Sequence, residues 1–169
     1  DSGPVALGGV MGGKPTMVSD DTQHVFFEAA FFDPSVIQGK TREYGLNSDA
    51  AHRFERGVDF LSARDGIELA TRLTLEICGG EAGPVTESTG KLPSRAPVKV
   101  RADRAARLIG VPVTAAEMKG IFERLQCKVV EESSALVVTP PSYRFDLVIE
   151  EDFIEEVARI RGYDQVPAV

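Results

Sequence analysis

The chain has 169 residues, of which 43% are hydrophobic and 27% charged, and carries a net charge of −7 at neutral pH. That balance excludes a disordered chain and suffices for one large domain or two small ones. No run approaches the roughly 18 to 20 apolar residues of a membrane-spanning helix, and the opening DSGPVALGGV lacks the charged-then-apolar layout of a secretory leader; a soluble, cytoplasmic protein with no membrane contact is expected.

The sequence opens without methionine, and PVALGG already reads as a strand, as expected of a piece of something longer. The glycines of GGVMGG at 8–13 suit a tight turn between strands, since glycine takes positive φ without steric cost; they would equally permit close backbone approach to a ligand. The spacing matches neither the dinucleotide fingerprint nor the phosphate-binding P-loop. QHVFFEAAFF at 23–32 reads as a strand that is apolar, and so covered, on both faces. Within it Glu28 is the single charge. A carboxylate buried there without a partner is costly, so Glu28 either points to solvent at a strand edge, pairs with Arg53 or Arg56, or serves as a pocket group.

Asp33 as N-cap, Pro34 at the first helical position and Gly45 past the end predict one helix between them. Ala63, Ile67, Ala70, Leu73 and Ile77 form the stripe of a second helix, which Gly79 and Gly80 terminate. The Gly-, Pro-, Ser- and Thr-rich stretch 79–97 separates two periodic regions and places a domain join near residue 90, giving domains 1–90 and 91–169. Beyond it PVKVRA reads as a strand and DRAARLIG as a short helix closed by Gly110. Thr114 and Glu117 make the capping box of a helix running to about Cys127, with Met118, Ile121, Phe122 and Leu125 on one face. KVVEESSALVVT then reads as a hairpin around Glu-Ser-Ser. Helix, turn, helix and hairpin predict a small winged-helix-like domain, and the chain as a whole an α+β fold.

Charge is distributed unevenly. Residues 91–144 carry 10 basic and 5 acidic groups, whereas 145–169 carry 2 and 7. The basic stretch could meet nucleic acid, although Arg101, Arg104, Arg107, Lys119 and Arg124 are dispersed and poor in interleaved aromatics. Cys78 and Cys127 are too isolated for a disulfide framework or a zinc site and are expected to be buried. His24 and His52 are not placed with a serine or cysteine as a catalytic triad would need. Asp146, Asp152, Glu155 and Glu156 place four carboxylates within eleven residues, the last three on one helical face opposite Phe153, Ile154, Val157 and Ile160. Such hard oxygen donors suit Mg²⁺, but acids in a first helical turn also complement the helix dipole on a solvated face.

Two sets of residues carry a family resemblance: LGGVMGG, VFFEAAFFDP and LNSDAAHRFERGVD in the first region, and PSYRFDLVIEEDFIEEVARIRGYDQVP at 141–167. With them the whole chain resembles the β subunits of bacterial phenylalanyl-tRNA synthetases. The resemblance implies the C-terminal part of a β-rich editing module, the fused third and fourth domains with packed helices, followed by the fifth domain. That module hydrolyses tyrosine wrongly attached to the phenylalanine tRNA. It implies an editing pocket containing Gly12, Glu28 on its buried strand, Ser48 and Ala50, with Glu28 receiving the tyrosine hydroxyl, Ala50 leaving room for the ring, and Ser48 keeping a hydroxyl where the family often has threonine. No side-chain nucleophile is implied for the hydrolysis, and other pocket residues are expected upstream. It further implies that Asp146, Asp152, Glu155 and Glu156 are ligands of a Mg²⁺ ion completed by the α subunit, that ATP is used by that partner in an α₂β₂ assembly, and that the 169 residues alone are inactive.

Overall fold

Glycine and proline stand at many of the points where the chain changes direction, although the chain leaves α-helix for strand at Gln126, φ +62°, and turns back between strands at Ser133 and Ser134. The computed structural model describes residues 3–166; Pro167, the last residue of the segment at 141–167, lies outside the described residues. The chain divides into two compact units, Asp1–Leu92 and Pro93–Val169.

In the first unit β1 (Ala6–Leu7) and β2 (Met11–Gly12) pair antiparallel. The turn joining them packs on its neighbours so closely that only glycine fits at position 9. Its φ is +70°, and a Cβ there would stand 2.8 Å from Ile37 Cδ1 and 2.9 Å from a Phe32 ring carbon. Val10, Ile37 and Ala51 are buried beneath the turn, with Phe32, Leu46 and Phe54 packed around them. Phe32 and Phe54 meet edge to face at 5.0 Å.

The segment 23–33 belongs to no helix and no ladder, and Phe26 is 88% exposed. The expected covered strand is therefore absent: no neighbouring strand among the described residues takes its backbone groups. For the same reason this unit is not β-rich, since the only strands among its described residues are β1 and β2.

Asp33 does cap, accepting from Ser35 N–H at 2.9 Å, with Pro34 following. What begins there is two helices rather than one, α1 (Pro34–Ile37) and α2 (Lys40–Tyr44), because Gly39 at φ +81° breaks the run. Gly45 ends α2 in the left-handed conformation. After α3 (Asp49–Phe54), α4 (Ala63–Cys78) follows the predicted stripe and stops at Gly79. Ala63, Ile67 and Ala70 of that stripe are half-buried, but Leu73 and Ile77 stay uncovered, Ile77 being 80% exposed, and Cys78 at the helix end is exposed rather than buried.

In the second unit β3 (Val98–Val100), β4 (Lys128–Glu132) and β5 (Ala135–Thr139) form an antiparallel sheet in the order β3-β5-β4. Helices α5 (Ala102–Ile109), α6 (Ala115–Arg124) and α7 (Glu150–Arg161) pack on it. The Thr114 hydroxyl accepts from Glu117 N–H, as the capping box predicts, and α6 stops at Arg124 rather than near Cys127. One core joins all of these elements: Met118, Ile121 and Phe122 of α6, Val100 and Val138 of the sheet, and Phe153, Ile154 and Val157 of α7. Phe122 and Phe153, both fully buried, lie edge to face at 5.6 Å. Cys127 is buried here, and burial pushes its thiol pKa up.

Candidate functional site

The glycine turn and the start of α3 are fastened by a single side chain. Ser48 is the N-cap of α3: its Oγ accepts from Ala51 N–H at 3.1 Å and donates to the Val10 carbonyl at 2.5 Å. A cap hydroxyl satisfies one of the donors that a helix start leaves unpaired; here the same hydroxyl also satisfies an acceptor of the turn 38 residues away. Gly12 lies two residues beyond Val10 and Ala50 two beyond Ser48, so these three belong to one local frame. Ala50 faces outward, and a Cβ at Gly12 would meet nothing within 4 Å.

Glu28 makes no hydrogen bond or ion pair to that frame. It is exposed on the segment 23–33, not buried, and pairs with neither candidate arginine: Arg56 is engaged by Glu55 and His52. A hollow of about 410 Å³ lies beside the segment's continuation, lined among others by Ala29, Phe31, Phe60, Ile67 and Leu92; none of Gly12, Glu28, Ser48 and Ala50 lines it.

The second cluster is organised by a residue that the sequence pattern does not single out. Arg144 presents its fork to Asp146, Nε to Oδ1 at 2.9 Å and Nη2 to Oδ2 at 2.7 Å. It also reaches Glu156, Nη1 to Oε2 at 3.2 Å and Nη2 to Oε1 at 3.1 Å. Arg159 closes on the same carboxylate from one turn along α7, at 2.6 Å. Glu156 is thus buried between two guanidinium groups, on the face it shares with Phe153 and Val157, and does not belong to a solvated acidic face. The available hint was the i, i+3 spacing of Glu156 and Arg159 and the two-residue spacing of Arg144 and Asp146.

The arginines control the local acidity. The Arg159 bond, and after it Arg144, hold the Glu156 carboxyl below the usual glutamate range against the effect of burial. Arg144 lowers Asp146 in the same way. Asp152 serves the backbone instead. Its Oδ2 accepts from the N–H groups of Val148 and Ile149, both at 2.8 Å, which fixes the entry to α7. Glu155 is exposed.

These are chemically apt donors for Mg²⁺, but as placed they do not fit the ion. Asp146 and Glu156 are already neutralised, Asp152 is bound to backbone, and no group of three or more metal-capable side chains converges among the described residues.

Several basic groups of this unit are paired as well, whereas Arg107 and Arg124 meet no carboxylate among the described residues. Arg101 and Arg104 meet Glu150 and Glu151 at the start of α7, and Lys119 meets Glu131 at 2.6 Å. At Arg101 and Arg104 the positive stretch of the sequence is thus partly neutralised by the acidic one, which weakens the field those two residues could offer nucleic acid. Among the described residues no helix is long and apolar enough to cross a membrane.

Two family models cover most of the chain: the B3/4 domain matches residues 1–79, and the tRNA synthetase B5 domain matches residues 98–163. The two units thus define a tRNA synthetase segment of the B3/4–B5 kind. The chain is 51% identical over 169 residues to the phenylalanine–tRNA ligase β subunit of Dechloromonas aromatica, covering 100% of this chain and 21% of that protein. To the β subunit of Thiobacillus denitrificans it is 53% identical over 167 residues, and to that of Bordetella pertussis 52% over 164, covering 99% and 97% of this chain and 21% and 20% of theirs. The chain belongs to the phenylalanine–tRNA ligase β-subunit family and spans about a fifth of the length of these relatives.

Proposed function

We propose that these residues form the part of a phenylalanine–tRNA ligase β subunit that contributes to editing, the hydrolysis of tyrosine esterified to the phenylalanine tRNA, and that carries the adjoining winged-helix-like unit. The observation behind this reading is identity at about half of all positions over a span that includes both units. A pocket selective for phenylalanine rejects an added hydroxyl by only about 10²-fold, so a second site that recognises the hydroxyl answers a physical need. In this reading Glu28 accepts the tyrosine hydroxyl, its exposure leaving the carboxylate available, while Gly12, Ser48 and Ala50 shape the wall that receives the ring. The Ser48 to Val10 bond supports the wall by locking the turn to α3.

The strand–helix–helix–hairpin–helix order of the second unit supports the winged-helix-like assignment. Charging of tRNA with phenylalanine, with its ATP and Mg²⁺, belongs to an α subunit in an α₂β₂ assembly, and no step is assigned to the metal in this chain. The test is the rate of tyrosine release from mischarged phenylalanine tRNA by the assembled two-subunit enzyme, native against Glu28→Ala. Loss of a hydrogen bond to a charged group predicts slowing by about 10- to 100-fold with phenylalanine charging unchanged. Release at the native rate would refute the role given to Glu28.

A further inference from the structure

The acidic cluster on α7 invites a metal, yet its geometry describes a site already filled by protein. Both oxygens of Asp146 are taken by the Arg144 fork, and both oxygens of Glu156 are shared by Arg144 and Arg159, at distances from 2.6 to 3.2 Å. Two guanidinium charges face two carboxylate charges, so the group is neutral as it stands. Its inner half is sheltered, the side chains of Arg144 and Glu156 being 19% and 9% exposed, while Asp146 and Arg159 form an outer half that is 53% and 46% exposed.

A Mg²⁺ ion takes carboxylate oxygens at about 2.0–2.1 Å in near-octahedral geometry. Seated on these oxygens it would lie against guanidinium nitrogens bound to the same atoms, two positive centres in van der Waals reach, least screened at the buried Glu156. Ion and arginines therefore compete for one set of lone pairs. The planar fork of arginine matches a carboxylate bidentately, so its hold here is geometric as well as electrostatic.

We infer that Arg144, assisted by Arg159, is the built-in cation of this cluster, occupying the position a divalent ion would take between Asp146 and Glu156 and excluding that ion from the chain by itself. The competition has a direction. Anything that draws the two arginines away, such as an acidic surface on a partner, opens the carboxylates to a metal, and anything that leaves them in place closes the site.

Mn²⁺ binding to the 169-residue chain, followed by the electron paramagnetic resonance signal of the free ion, tests this without recourse to enzyme activity. The native chain should bind only in the millimolar range expected of scattered surface carboxylates. Arg144→Gln should tighten binding about tenfold or more, because it leaves Glu156 short of positive charge, and Asp146→Asn added to Arg144→Gln should cancel the gain. Arg159→Gln, at an exposed position that folding tolerates, should tighten binding by a smaller factor and decides the matter where circular dichroism finds Arg144→Gln unfolded. A micromolar site in the native chain that is lost in Glu156→Gln, or native affinity in whichever arginine variants fold, would overturn the inference.

Discussion

The Ser48 hydroxyl and the Val10 carbonyl are joined by a 2.5 Å bond across 38 residues of sequence, and the same oxygen caps α3 through Ala51 N–H. One atom therefore sets both the start of a helix and the height of the glycine turn above it. Ser48→Ala removes the cap, worth about 1 kcal/mol, and leaves the Val10 carbonyl without its partner in a partly buried site, worth a further 1–2 kcal/mol or so. The first unit should lose roughly 2–3 kcal/mol in urea denaturation, whereas Ser48→Thr, which keeps the hydroxyl, should lose less than about 1 kcal/mol. Equal losses in the two variants would show that the hydroxyl does not fasten the turn.

In the second unit the aromatic pair at the centre is the most sensitive point. Phe153 is fully buried and meets Phe122 edge to face. Phe153→Ala should cost about 3–5 kcal/mol, a large part of the 5–15 kcal/mol that stabilises an ordinary domain. Phe153→Leu, which keeps most of the volume, should cost about 1–2 kcal/mol. Thermal melts of the two variants check the order.

Acid should unfold the second unit through its ion-paired carboxylates. Glu156, Asp146 and Glu150 all have folded pKa values below their ordinary ones, caused first by Arg159, Arg144 and Arg101 respectively. A depressed carboxylate contributes stability that is complete above its unfolded value, about 4, and that disappears as pH falls through the lower folded value. Urea midpoints should therefore be flat near neutrality and decline below about pH 4. At neutral pH Glu156→Gln should cost about 3 kcal/mol by leaving the arginines undercompensated. The gap between native and Glu156→Gln should narrow as pH falls below about 4 and close as it passes through the lower folded value of Glu156, where the native carboxyl also becomes neutral; a gap that stays constant would mean that the charge of Glu156 is not what stabilises α7.

Local signals in the sequence were legible where chemistry and conformation coincide. Asp33, Gly45, Thr114, Gly79 and the Ser-Ser turn each act where their side chains, or lack of them, demand it. The apolar face of α7 was legible too, because Phe153, Ile154 and Val157 repeat at helical spacing. Gly39 was missed because Pro34 and Gly45 looked sufficient to bound one helix, and a left-handed glycine inside a helical pattern has no separate mark. In the candidate site, Gly12 and Ser48 share a frame only through a bond spanning 38 residues, which no local pattern encodes. Arg144 was overlooked for a related reason: a lone arginine beside an acidic helix reads as one more surface charge until its two carboxylates are seen to converge.

The segment 23–33 carries the clearest conflict between pattern and surroundings, and it yields the last prediction. Val25, Phe26 and Phe27 have the β-branched and aromatic character of a covered strand, yet all three are exposed and the backbone pairs with no strand among the described residues. Backbone amides without partners exchange with solvent through no opening step, whereas those of a central strand wait for global unfolding. Hydrogen exchange on the 169-residue chain should therefore find residues 24–32 exchanged at the earliest times while β5, paired on both sides, stays protected. Since the relatives are about five times longer, the same amides should become protected in a full-length β subunit, where further chain is available to complete a ladder on 23–33. Early exchange in both proteins would mean that the apolar run is exposed by design and not an unfinished strand, and with it the assignment of Glu28 to a strand-borne pocket would fall.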